Sequence, residues 1–231
     1  MKKKSSSANP TFNNLPLEKQ EAIIHEAVRE FAANGYQKAS LNTIVKNLGI
    51  AKGSLYQYFR NKEALFCFVF EEFTHCVKHT VKDGIGQERS ADFFDRVKLV
   101  MLAAITFVDR YPDYFQIYLK VLFEHDVPRR EELLARVRLF SREYFGPLCE
   151  EAREKSVIRR DIPVATLIFL LDAFLDRFLQ GYVQPYLDGG LGMAKMSRKE
   201  LMVKIDEMIE VLRDGFVTER FKGAEGQRDR G

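Results

Sequence analysis

Residues Ser40 to Phe59, SLNTIVKNLGIAKGSLYQYF, constrain the fold more than any other stretch, because their apolar spacing admits two short helices meeting at a sharp turn. Leu41, Ile44, Val45 and Leu48 recur at i, i+3, i+4 and i+7, one stripe of a helix, and Ser40 in front of them is placed to accept from an orphan backbone N–H. Gly49 follows the last apolar position, where a left-handed residue ends a helix at no steric cost, and Ile50 plugs the corner. In the second helix Ala51, Leu55 and Phe59 face inward. Lys52, Gly53, Ser54, Tyr56, Gln57 and Tyr58 are left on the flanks and the outer face.

That outer face is poor for packing and well equipped for a polar partner. Gly53 lets another backbone approach, Gln57 donates to and accepts from a base edge, and Lys52, Tyr56 and Tyr58 reach phosphate oxygens. Taken singly, Tyr56 and Tyr58 also fit half-buried packing positions with exposed hydroxyls. Asn61 is placed to cap the next helix, which puts Lys62 in a first turn where the helix dipole disfavours a cation. A phosphate held by Lys62 and the free N–H groups would remove the conflict; a solvated lysine offset by Glu63 is the alternative.

The stretch from about Pro16 to Glu72 resembles the DNA-binding domain of the TetR family of transcriptional regulators. The resemblance rests on a first helix ending in FAANGY, on SLNTIVKNLGIAKGSLYQYF, and on NKEAL opening a long fourth helix. Ala51 departs from the family pattern, in which Ser or Thr often caps the recognition helix. The resemblance implies that Ser40, Asn42 and Thr43 approach the DNA backbone or outer bases. It implies that Lys52, Gly53, Ser54, Tyr56, Gln57 and Tyr58 meet the major groove and that Lys62 holds a phosphate. It implies, further, a small-molecule pocket among the fourth to eighth helices and a homodimer packed through the last two helices as a four-helix bundle.

Charge follows the same division. Residues 1–60 hold nine Lys and Arg against four Glu, net +5, whereas the whole chain is +3, so the remainder carries −2. Part of the excess is Lys2 to Lys4 in a polar leader, residues 1–14, that is expected to be disordered. It has no apolar core of a secretory signal, and a cytoplasmic protein is expected. Cys67, Cys76 and Cys149 show no framework spacing and fit reduced thiols.

No strand-like alternation stands out, so the fold class is all-α with about nine helices. The division expected is a helix-turn-helix domain over 15–61, a helical effector-binding and dimerisation domain over 62–222, and a disordered tail over 223–231. The first helix is expected from Leu17 to about Ala33, ended by Gly35, and the fourth from Lys62 to about Lys82, broken by Gly84 and Gly86. Being apolar on more than one face, the fourth must pack on two sides and can join the DNA-binding part to the rest. Proline and glycine breaks then leave helices over about 89–110, 112–125, 129–155, 163–187 and 197–221, with Pro147 kinking the third of these. Residues 164–183 are apolar nearly all round, but Asp172, Asp176 and Arg177 argue against a membrane span. More apolar surface than one core can cover points to self-association, with Leu167, Leu171, Phe174, Leu175, Phe178, Leu201, Ile205, Met208 and Leu212 as interface residues.

Sixteen of 19 phenylalanines lie after residue 60. Phe66, Phe70, Phe73, Phe94, Met101, Tyr114, Phe115, Tyr118, Phe123, Phe140, Tyr144 and Phe174 are candidate walls of the pocket, which would suit a hydrophobic or aromatic effector. The sequence has no P-loop, GxSxG, HExxH or CxxC, and His75 and His79 supply two ligands where a metal site needs more, so no enzyme, cofactor or metal is expected. The reading is a ligand-responsive regulator, most simply a repressor, that binds a roughly palindromic double-stranded operator as a homodimer. A constitutive DNA-binding or protein-interaction module and an all-α enzyme are the alternatives.

Overall fold

The computed structural model describes residues 8–85 and 92–214, and among these every regular element is helical. The helices are α1 (Pro10–Asn13), α2 (Leu17–Lys38), α3 (Leu41–Leu48), α4 (Lys52–Tyr58), α5 (Lys62–Ile85), α6 (Phe93–Arg110), α7 (Pro112–Phe123), α8 (Arg130–Glu154), α9 (Val164–Val183) and α10 (Arg198–Asp214). Two single 3₁₀ turns, Pro185–Leu187 and Met193–Lys195, connect α9 to α10.

Helix ends follow local chemistry. The Ser40 hydroxyl accepts from Thr43 N–H at 3.4 Å, Gly49 ends α3 at φ 63°, and the Asn61 carboxamide accepts from Ala64 N–H at 2.8 Å. Asp92 caps α6 through Asp95 N–H, and Ser197 with Glu200 forms a reciprocal capping box at α10. Ala51 gives α4 no side-chain cap.

Several expected boundaries move, each for a physical reason. Gly35, at φ 67° and ψ 177°, breaks the regular helix as expected, and the chain resumes a short helical turn beyond it to Lys38, so α2 is two helical pieces joined at a kink. Helix α5 passes through Gly84, where an added Cβ would lie 2.7 Å from Ala103 Cβ; this glycine lets α5 and α6 close on each other and does not break the helix. Gly86 lies outside the described residues. Helix α9 stops at Val183 because Pro185 forces Gln184 into an extended conformation. Pro147 lies inside the continuous α8.

The leader is corrected in part. Residues 8–14 are ordered: Asn9 N–H donates to Tyr58 O at 2.9 Å, the Asn9 carboxamide donates to Gln57 O, and α1 places Phe12 at 1% exposure. Its ring packs against Phe59 and Phe68 at centroid distances of 5.0 and 5.2 Å. Polar composition hid this single aromatic anchor. Residues 1–7 and the expected tail lie outside the described residues, as does any part of the last helix after Asp214.

Two apolar cores result. The first runs without interruption from Phe12 through α2, α3 and α4 into α5, α7 and Leu133 at the start of α8. The second lies among α6, α8, α9 and α10. Helix α5 is buried on several faces at Leu65, Phe66, Phe68, Val69, Phe70 and Phe73, so it belongs to the core of the motif and to that of the following helices at once.

Candidate nucleic-acid interface and effector cavity

Helix α2 braces the motif with two buried carboxylates. Glu30 accepts from Ser40 N–H at 2.8 Å, and Glu26 accepts from the Asn47 carboxamide at 2.5 Å and from Arg29 at 2.8 Å. Burial alone would raise the Glu26 pKa; the hydrogen bonds from Asn47 and Arg29 outweigh it and hold the carboxyl below its usual range. Neither glutamate was singled out from sequence, since their partners lie 10 and 21 residues away.

Beyond this brace α3 and α4 present one continuous polar surface. Asn42, Thr43, Lys52, Gly53, Tyr56 and Gln57 are exposed, while Ser40, Ser54 and Tyr58 are half-buried. Tyr56 is 42% exposed, with the Lys52 ammonium 6.0 Å from its ring. Tyr58 is held by Phe12 at a centroid distance of 6.2 Å, so packing accounts for part of its role. Lys62 answers its unfavourable helix position within the chain. Its ammonium donates to Gln37 O at 3.0 Å and Ala39 O at 3.1 Å, at the end of α2, and sits 4.7 Å from the Tyr36 ring centre. The dipole conflict that suggested a phosphate is thereby met by two carbonyls.

A cavity of about 90 Å³ lies between α5, α6, α7, α8 and α9. Of the expected wall residues, Phe73, Phe115, Tyr118 and Tyr144 line it, joined by Phe107 and Phe145. The others are elsewhere. Phe66 and Phe70 are fully buried in the first core, which also takes Tyr114; Phe94 and Met101 pack in the second core, and Phe174 lies against it. Phe123 points outward at 57% exposure, and the Phe140 side chain lies outside the described residues.

One edge of the cavity is polar, and this was missed. Arg138 on α8 donates to Asp172 at 2.6 Å, to Asp176 at 3.2 Å and to the Tyr118 hydroxyl at 2.9 Å. Tyr118 donates to Asp176 at 2.7 Å, Ser141 donates to Asp172 at 2.5 Å, and Gln180 donates to Asp176 at 3.1 Å. Burial works against the Arg138 charge, but Tyr118, Asp172 and Asp176 outweigh it and raise its pKa. Burial first, and then Asp176, push the Tyr118 phenol far above its usual pKa, so it stays protonated. A legible signal existed: Asp172 and Asp176 lie one turn apart on the most apolar helix of the chain.

Helix α7 has the cavity on one side and α2 on the other, where it packs along the DNA-binding part. At its C-terminal end Gln37 donates to Asp126 O at 2.6 Å, and the Glu124 carboxylate lies so close to Gly35 that a Cβ there would be 2.6 Å from it. The expectation that α5 joins the two parts is therefore extended by a second element, α7, which packs on α2 as α5 does.

The expected self-association face is corrected in part: of its residues, Leu212 is exposed. Leu171, Phe178, Leu201 and Ile205 are buried in the protomer's own second core. Leu167, Phe174, Leu175 and Met208 are half-buried against the same core. The apolar surface left outside consists of Phe169 (68% exposed) and Leu170 on α9, and Met202, Val203, Val211 and Leu212 on α10. Among the described residues no helix is long and apolar enough to cross a membrane, and no three His, Cys, Asp or Glu are grouped as metal ligands. His75 and His79 face Glu72 and Asp83 on their own helix.

Two short helices at a glycine turn, braced from behind and exposing a polar second helix, define a helix-turn-helix DNA-binding protein. Residues 23–67 match the family model described as bacterial regulatory proteins, tetR family. A TetR family transcriptional regulator from Chloroflexus aurantiacus J-10-fl has a similar structure, with a TM-score of 0.69 and 27% identity over 90% of this chain and 97% of that one. The regulator FadR from Bacillus subtilis, solved with stearoyl-CoA, has a TM-score of 0.65 at 20% identity over 85% and 98% of the two chains. In sequence the chain is 19% identical to the "Probable acrEF/envCD operon repressor" of Escherichia coli K12 over 172 residues, 72% of this chain and 77% of that protein. Residues 23–67 are thus a tetR-family helix-turn-helix, and the chain is similar over most of its length to transcriptional regulators of that family, which supports a DNA-binding regulator and not an enzyme.

Proposed function

We propose that the protein is a cytoplasmic repressor that binds a roughly palindromic operator as a homodimer and is released by a small hydrophobic effector. Residues 15–61, with α1 clamped beneath them, are the DNA-binding unit, and residues 62–222 hold the effector and the dimer interface. In this reading Asn42, Thr43, Lys52, Gly53, Ser54, Tyr56, Gln57 and Tyr58 face the major groove. Ser40 reaches the backbone, and Lys62 lends its remaining N–H to a phosphate.

The observation that carries the effector reading is the position of α7. Its residues Phe115 and Tyr118 line the cavity, while its other flank packs on α2, which braces α3. A ligand that spreads the cavity shifts α7, and with it the separation of the two recognition helices. The B. subtilis FadR structure, with its bound stearoyl-CoA, supports a ligand that carries a long apolar chain in a fold of this kind. Tenfold release from DNA requires the ligand to prefer one conformation by about 1.4 kcal/mol. For the dimer, Leu212 is kept from the expected face, and the exposed residues Phe169, Leu170, Met202 and Val203 join it in place of the inward-facing ones as the face that a second copy covers.

Sedimentation of the full chain tests the dimer: Phe169→Glu with Leu170→Lys is expected to give monomers that bind half-sites only. A dimer unchanged by this pair of substitutions would refute the assignment of the face.

A further inference from the structure

The polar edge of the cavity carries a charge imbalance that bears on the effector. Asp172 and Asp176 are two carboxylates; among the described residues Arg138 is the one cation of the cavity lining, so that lining carries a formal charge of −1. Tyr144 in the lining also feels Arg96, whose guanidinium pairs with Glu151 at 2.9 Å, a carboxylate that Lys155 shares at 2.7 Å. An entering anion would meet an arginine already shared between two carboxylates.

A cation meets the opposite situation. Each Asp172 oxygen accepts one hydrogen bond, one from Arg138 and the other from Ser141, and Asp176 accepts from Arg138, Tyr118 and Gln180, which leaves lone pairs on both carboxylates. The Tyr118 and Ser141 protons are committed to those carboxylates, so neither hydroxyl is free to donate to an incoming acceptor. The remaining wall is aromatic and aliphatic: Phe73, Phe107, Phe115, Phe145, Leu175 and Leu179. Ring faces attract a cation and do nothing for a carboxylate.

Resting on the proposal that this cavity holds the effector, we infer that the site selects a lipophilic organic cation bearing N–H donors, with its charge at the Asp172–Asp176 edge and its apolar part among the phenylalanines. A fatty carboxylate of the same length is disfavoured, because Arg138 is twice neutralised before any ligand arrives.

Three probes of one shape and different charge test this by calorimetric titration of the full chain at pH 7, below their micellar concentrations: octylammonium, octanoate and 1-octanol. Octylammonium is expected to bind about tenfold more tightly than octanoate, with octanol between them. Asp172→Asn, which brings the lining to neutrality, should weaken octylammonium, strengthen octanoate and leave octanol unchanged. A purely structural role for the network would move all three together and would overturn the inference. The wild-type ratio stands by itself should the variant not fold, and octanoate binding as tightly as octylammonium overturns the proposal. If octanol binds and charge makes no difference, the charge selection fails while the effector cavity survives. If no probe binds, or if Val137→Trp, which fills the cavity, leaves all binding intact, the effector cavity fails as well.

Discussion

Gly35→Ala is the substitution whose cost follows most directly from the geometry. Gly35 has φ 67° and ψ 177°, a region populated essentially by glycine alone. Placing a side chain there costs about 1–3 kcal/mol in backbone strain. A Cβ would also lie 2.6 Å from Glu124 Oε2 and 2.8 Å from Oε1. Glu124 is the flexible end of a partly exposed side chain, however, and moving it sacrifices only its 3.6 Å pair with Lys120. Such a surface pair is worth about 0–1 kcal/mol, so the backbone dominates. A loss of about 2 kcal/mol lowers Tm by about 4–8 °C in a chain of this size. Thermal denaturation followed by circular dichroism measures it. Adding Glu124→Ala should recover no more than about 1 kcal/mol, because it relieves the contact and leaves the strain. A Tm within about 1 °C of wild type for Gly35→Ala, or full rescue by the second substitution, would refute the reasoning.

Phe12→Ala should cost about 3–5 kcal/mol, since the ring is fully buried against Phe59 and Phe68, and urea unfolding would show it as a lower midpoint at unchanged slope. Glu26 has its pKa lowered by folding, so its contribution is complete above the ordinary carboxylate value of 4.5 and is lost as pH falls through the folded value. Glu26→Gln should therefore be less stable than wild type by about 1–2 kcal/mol at pH 7, with the gap closing below about pH 4.5 in melts across a pH series. Gln57→Ala should change preference among duplex sequences with little change in salt slope, read by fluorescence anisotropy at several salt concentrations, whereas Lys52→Ala should weaken all duplexes and flatten the slope.

The helix-turn-helix was legible because each of its signals is local: an N-cap three residues from its donor, a glycine at the reversal, an apolar stripe over eight residues. What lay outside the sequence pattern is non-local. Nothing in a polar leader says that Phe12 returns to Phe59 and Phe68, 47 and 56 residues later. Helix α9 is apolar nearly all round and so carries no phase; only the positions of α6 and α8 decide that Leu171 and Phe178 turn inward and Phe169 outward. The same ambiguity scattered the expected cavity walls, since a phenylalanine at helical spacing packs equally well in a core. Asp172 and Asp176 served only as an argument against a membrane span, although two carboxylates one turn apart in an apolar helix also ask for a buried partner. That partner, Arg138, is 34 and 38 residues away.

Selection of binding sites from a random pool of duplexes by the full chain tests the central claim most directly. A two-fold regulator should enrich one sequence with two inverted half-sites whose centres lie about 34 Å, or a multiple of a helical turn, apart. Substituting Gln57 should alter both halves alike. A pool that enriches no sequence, or a single half-site without symmetry, would contradict the account.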